Sequence, residues 1–230
     1  MTTNRADGLE TRRRLLDAAG ALFAEKGYHD TKTADVCRAA EANVAAVNYH
    51  FRSKEELYAA AWRNEFDHSV EAYPPDGGVA ANAPAEDRLR GHILALVRRS
   101  LDPASRDLDI AHREMSNPTG LLAEVMHRSL EPLRQMHVAI IHELLGPRAT
   151  EKDVQLCEMS IHAQCFAALM QERQRRLAPH KARPMGPPRL QIDGDALAEH
   201  IVRFSLAGLR EVKRCLGNAR RHAKGRSAEA

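Results

Sequence analysis

Residues 41–57 read EANVAAVNYHFRSKEEL, and this stretch decides the fold. Val44 and Val47 give a short helix over about 44–50 an inward side, and Ala45 and Ala46 keep its outer surface slim. Asn43, Asn48, Tyr49 and His50 place hydrogen-bonding groups along it. Ser53 then offers a hydroxyl to cap a longer helix, whose Glu55 and Glu56 suit the positive end of its dipole.

Toward the N-terminus, Leu15, Leu16, Ala19, Leu22 and Phe23 form one helical stripe that Gly27 stops, and another short helix is predicted from about Thr33 to Ala40. Two short helices joined by a tight turn and laid on a supporting first helix describe a helix-turn-helix. A slim second helix enters a DNA major groove, where Asn pairs with adenine and Tyr meets phosphate or a thymine methyl. Lys54 is placed to neutralise a phosphate, and Thr33 offers a hydroxyl and backbone N–H to another. Arg5 and Arg12–Arg14 cluster where a flexible arm could reach the backbone or minor groove. Short helix pairs also occur in ordinary bundles, and residues 1–60 carry nine Lys/Arg against nine Asp/Glu, so net charge does not decide between the two.

Beyond the head, YPPDGGVAANAP over 73–84 is a loop by composition, and helical patterns cover about 85–101, 108–115, 118–144, 151–176 and 194–216. Asn117-Pro118 reads as a cap with proline at the first helical position, Thr150 with Asp153 as a capping box, and Pro132 as a kink or break. Residues 177–192 form a Pro-rich connector and 217–230 a frayed polar tail. No segment alternates as a strand does. The predicted fold is all-α: a three-helix head over 1–52 and a larger helical body over 53–216, joined by the 53–73 helix, with a flexible tail over 217–230. Eight of the ten aromatic residues lie in the first 73 positions, as a small core requires.

The chain has 230 residues, 28% charged and 43% hydrophobic, which excludes wholesale disorder. No apolar run is long enough to span a bilayer, and the first residues lack a signal peptide's apolar core, so the protein is expected to be soluble and cytoplasmic, without a membrane partner. The four cysteines are scattered, so no disulfide framework is expected. Cys157, His162 and Cys165 share one helix, but cysteines eight residues apart lie more than about 10 Å apart along it. One ion cannot join them without other elements, and neither a metal nor a cofactor is expected. No GxSxG, HExxH or phosphate-binding Gly loop is present, so the chain is not expected to be an enzyme.

The run LLDAAGALFAEKGYHDTKTADVCRAAEANVAAVNYHFRSKEELYAAA, with A-x-x-L-F-x-E-x-G-Y, His-Phe and S-K-E-x-L, resembles the N-terminal helix-turn-helix of the TetR/AcrR family of bacterial transcriptional regulators. The resemblance implies that Thr33, Asn43, Val44, Asn48, Tyr49, His50 and Lys54 face DNA. Many family members carry Gly where Glu41-Ala42 stands, and Tyr where Asn48 stands. The wording NVAAVNYHF, together with HREMSNPTGLLAEV, Pro132-Leu133 and ALAEHIVRFSLAGLREV, resembles the CecR/YbiH-like branch. It implies a body that binds a small-molecule effector and pairs with a second copy, hence a homodimer on double-stranded operator DNA. Small residues on the last two long helices (Ala163, Ala167 and Ala168; Ala196, Ala198, Ser205, Ala207 and Gly208) permit close helix packing between subunits.

Trp62, Phe66, His92, His112, Glu114, Met115, Met126, Gln164, Cys165 and Phe166 are candidate lining for an effector cavity, possible for an aromatic or drug-like compound. Arg113 and Glu114 read first as a structural ion pair between helices. The function read from all this is a ligand-responsive repressor. The alternatives are a thiol- or metal-responsive sensor using Cys157 and Cys165, or an activator.

Overall fold

Leu15, Leu16, Ala19 and Phe23 recur at helical spacing because one face of the first helix is buried, and each is nearly inaccessible. The computed structural model describes residues 2–177 and 193–227, with side chains for 7–167, 170 and 193–218. Among them are nine helices and no strand: α1 (Thr2–Asp30), α2 (Thr33–Ala39), α3 (Val44–Phe51), α4 (Lys54–Ala72), α5 (Ala85–Leu101), α6 (Arg106–Ser116), α7 (Ala123–Leu145), α8 (Glu151–Leu177) and α9 (Gly194–Ser227). No helix among the described residues is long and apolar enough to cross a membrane.

Packing divides the chain into two units, Met1–Ala72 with Asp102–Glu131, and Tyr73–Leu101 with Pro132–Ala230. In the first unit α1, α4 and α6 pack on one another. Phe23 meets Tyr58 edge-on at 4.7 Å and Tyr28 lies 5.1 Å from Tyr58, so aromatic rings close this core. The Trp62 indole N–H donates to the Asp107 carbonyl at 3.2 Å, and Ile110 and Leu122 are fully buried. Gly27 breaks α1 at φ 80°, ψ 178°, a backbone state essentially reserved for glycine. Thr31, buried just beyond, donates its hydroxyl to the Gly27 carbonyl at 2.7 Å and fixes the exit toward α2.

In the second unit α5 packs on α8 and α9 around Leu89, Ile93, Val97, Ile141, Ile161 and Val202. Arg98 grips Asp195 through two hydrogen bonds of 2.7 and 2.9 Å, Arg210 grips Glu86, and Arg90 pairs with Glu199, all linking α5 to α9. These pairs are exposed, and each adds little beyond setting register. The box at the start of α8 forms as predicted: the Thr150 hydroxyl and N–H both donate to Asp153, and the Asp153 N–H returns to the Thr150 oxygen.

Three sequence expectations need correction. Pro118 does not open a helix; Asn117 ends α6, and α7 starts at Ala123. The cause is Glu114, whose carboxylate accepts from the N–H groups of Thr119 and Gly120 at 2.8 Å and holds 117–122 as a loop. Of the kink or break expected at Pro132, the break does not occur: α7 runs past it. α9 runs on to Ser227, well past 216, through Ala, Arg and Lys that favour helix. From 178 on, the Pro-rich connector falls outside the described residues.

Candidate nucleic-acid interface

α3 is fastened at both ends and bare in the middle. Asn43 is its N-cap, with Oδ1 accepting the Ala46 N–H at 2.9 Å, a role the sequence reading did not assign. Val47 and Phe51 anchor the helix inward, and the Arg12 guanidinium covers the Phe51 ring at 5.2 Å. Tyr49 is 83% exposed, its ring edge-on to His50 at 4.8 Å, and Asn48 is exposed beside it. Val44, expected to point inward, is 50% exposed; in so short a helix only Val47 and Phe51 reach the core.

The turns around α3 are strained. Glu41 in the turn after α2 has φ 50° and Arg52 at the end of α3 has φ 61°, a region L-residues enter at a cost. Arg14 of α1 reaches Glu41 at 3.8 Å. Arg12, Arg13 and Arg14 are part of α1 rather than a flexible arm, and Arg13 pairs with Glu10 and Asp17. The Arg5 side chain lies outside the described residues.

Past the turn, Ser53 caps α4 by accepting the Glu56 N–H at 3.2 Å. The Lys54 ammonium sits 4.1 Å over the Tyr28 ring, and desolvation there lowers its pKa. Tyr28 donates its hydroxyl to Glu55 at 2.7 Å, and that bond first, then one from Ser53, draws the Glu55 carboxyl down to about 2. Lys54 is thus oriented by an aromatic face rather than free in solvent. Thr33 is the first residue of α2 and half-buried.

The candidate effector residues divide between the units. Trp62 and Phe66 are core residues stacked at 5.2 Å. His112 and Met126 are half-buried, and the Nδ1 of His112 is buried without a partner. Glu114 anchors the loop described above and accepts the Tyr58 hydroxyl at 3.2 Å. Arg113 does not form the expected ion pair among the described residues; it donates to the carbonyls of Ala24, at 2.6 Å, and Glu25, capping the helix that Gly27 ends. Met115 and Phe166 are 54% and 44% exposed, so neither lines an interior.

In the second unit, Gln164 turns back to the Ser160 carbonyl at 3.1 Å. Cys165 is buried, which pushes its thiol up to about 12, and burial raises Cys157 as well, so neither resembles a reactive thiolate. His92 is joined by His137 and His162, which the sequence reading did not connect to it: His92 stacks on His137 at 4.5 Å, and His137 meets His162 tilted at 4.7 Å. No local spacing signals this grouping, because α5, α7 and α8 each contribute one ring.

The family description "Bacterial regulatory proteins, tetR family" fits residues 15–61, which span most of α1, all of α2 and α3 and the start of α4. That of the C-terminal domain of the HTH-type transcriptional dual regulator CecR fits residues 85–209, over half the chain. The chain belongs to the TetR family. This TetR-family protein is 29% identical to CecR of Shigella flexneri over 154 residues, covering 63% of this chain and 69% of that one. It is 25% identical to IcaR of Staphylococcus epidermidis, the negative regulator of a biofilm operon, over 56% of this chain and 66% of that one. The matches thus span about two thirds of these curated relatives. Its fold matches a TetR-like regulator from Rhodococcus sp. RHA1 (TM-score 0.64, 19% identity, 87% of this chain and 96% of that one). It also matches FadR of Bacillus subtilis in complex with stearoyl-CoA (TM-score 0.63, 16% identity, 85% and 98%). The TetR-family protein is a DNA-binding regulator of transcription, and its family match takes in all of α2 and α3.

Proposed function

We propose that this protein is a homodimeric repressor that leaves a palindromic operator when a small molecule binds the body. The functional division is a reading head over 1–52 and an effector-binding and dimerisation body over 53–216, whose first part is a connecting helix over 53–73 and whose last helix, α9, runs on to Ser227. The observation that carries the reading is α3: Tyr49 and Asn48 stand in solvent on a helix that Val47 and Phe51 hold rigidly from below. Asn43, Val44, His50, Thr33 and Lys54 flank that face and would position it on phosphates and bases. An exposed tyrosine so mounted serves base or phosphate contact better than it serves packing.

Pairing is supported by a second surface. Leu156, Met159 and Phe166, about one and two helical turns apart on α8, and Phe204 on α9 are exposed, accompanied by the small residues Ala163 and Ala207. A twofold pairing of these faces buries them and gives the dimer two reading helices, as a palindromic operator with half-sites in successive major grooves about 34–36 Å apart requires. IcaR is a negative regulator by name, which favours repression here. A ligand acts by preferring one head spacing over another; equal affinity for both shifts nothing. The protein works by binding, without catalysis, in the cytoplasm where its DNA lies.

Titration of fluorescent DNA from immediately upstream of the gene tests this at fixed salt. Wild type is expected to bind as a dimer, and Tyr49→Ala to weaken binding at least about tenfold, a loss of about 1.4 kcal/mol, with its sedimentation unchanged. Equal affinity of the two proteins would remove α3 from the groove.

A further inference from the structure

Three histidines from three helices meet inside the second unit: His92 on α5, His137 on α7 and His162 on α8. His137 is wholly inaccessible and His92 is 6% exposed. Each offers a ring nitrogen that lies within 4.8 Å of one from each of the other two. We propose that these imidazoles form a binding site for one divalent transition-metal ion of the Co²⁺, Ni²⁺ and Zn²⁺ class.

The hydrogen bond of His92 sets its ring up as a ligand, and the one between His137 and His162 opens when His162 turns to the ion. His92 Nδ1 lies 2.9 Å from the Pro75 carbonyl, which only accepts, so Nδ1 carries the proton and Nε2 the lone pair. Gly91 lets the 74–79 loop lie this close to α5, since a Cβ there would fall 2.6 Å from the Asp76 carbonyl oxygen. A backbone carbonyl fixing one ring nitrogen while the other faces inward is the usual support of a metal-bound histidine. His137 Nδ1 and His162 Nε2 share a hydrogen bond at 2.9 Å.

That arrangement leaves His92 Nε2 and His137 Nε2 buried without any partner. Two orphaned ring nitrogens in one cluster are costly, and simple packing would be better served by phenylalanine or leucine. An ion resolves the deficit by accepting lone pairs. Burial favours the uncharged form of a ring, the form that ligates.

Ligands at about 2.0–2.1 Å around a tetrahedral ion lie roughly 3.4 Å apart, so the rings need close by about 1 Å or less each. Three imidazoles without a carboxylate suit borderline transition ions rather than Mg²⁺ or Ca²⁺, which take oxygen. Water would complete the coordination, as at other three-histidine sites. The sequence reading required other elements before any ion could be held near His162; α5 and α7 supply them. This site uses neither Cys157 nor Cys165 and does not depend on the DNA-binding assignment.

The test uses the full chain, stripped with EDTA and titrated with Co²⁺ and then Zn²⁺ in the absence of DNA. One Co²⁺ per chain is expected, with d–d bands of low coordination number, no thiolate charge-transfer band, and paramagnetically shifted signals from three imidazoles. Zn²⁺ at a hundredfold excess over its Kd is expected to raise Tm by about 5–10 °C. His137→Phe and His162→Phe, which keep a ring in place, are expected to weaken binding about a hundredfold or more, whereas Cys165→Ser leaves it unchanged. If the phenylalanine variants do not fold, the imidazole signals of the wild type decide alone. No saturable binding, or Co²⁺ signals from other histidines, overturns the proposal. Loss of operator binding would leave these readouts untouched, so the two readings fail separately.

Discussion

In α3, Tyr49 and Asn48 stand in solvent, while Val47 and Phe51, beside them in the chain, are buried. In α5, α7 and α8 the hydrogen-bonding groups lie inward with the apolar core: His92 and His137 are buried and His162 is half-buried, while Leu156 and Phe166 of α8 are exposed. The first arrangement is local, since nine consecutive residues hold both the anchor and the contact. The second is distributed, because 45 residues separate His92 from His137 and 25 separate His137 from His162. A local site can be read from a sequence; a distributed one exists only once the helices have packed.

The contrast can be broken by substitutions in the head. Phe51→Ala empties the anchor below the reading surface and is expected to destabilise by about 3–5 kcal/mol, measured by urea unfolding, with DNA binding lost along with the fold. Gly27→Ala places a Cβ where the backbone sits at φ 80°, ψ 178°, and is expected to cost about 1–3 kcal/mol. An unchanged melting temperature would show that α1 ends by another means.

Other substitutions sharpen the contrast. Glu41→Gly relieves a left-handed conformation, against the loss of a long, exposed contact with Arg14 and a larger unfolded-state entropy. A net gain of about 0.5–1 kcal/mol is expected, and a loss would mean that the Arg14 contact fixes the turn. Tyr49→Ala, whose DNA effect was given above, is expected to change stability by no more than about 0.5 kcal/mol. A larger loss would make Tyr49 a structural residue.

The same distinction governs what was legible. The limits of α5 were readable because Pro84 stands before it and its apolar stripe is regular, and the α8 box because Thr150 and Asp153 are three residues apart. The start of α7 was misread because the group that holds 117–122 out of a helix, the Glu114 carboxylate, belongs to the preceding helix. Val44 was misread because a helix of two turns leaves its inward phase ambiguous by one position. Glu114 and Arg113 were noticed as a pair, but their partners, the 119–120 loop and the end of α1, are fixed only by tertiary packing. His137 and His162 carry no local sign of their meeting.

The first packing unit is built from two separate stretches, 1–72 and 102–131. Cutting the gene after residue 72 to obtain a minimal DNA-reading fragment would discard α6, and with it Ile110, Leu122 and the carbonyl that receives the Trp62 indole. A miniature made that way would expose a wet aromatic seam and be prone to clumping. A miniature of the reader has to carry the 102–131 stretch as well, spliced to the end of α4 by a short synthetic bridge.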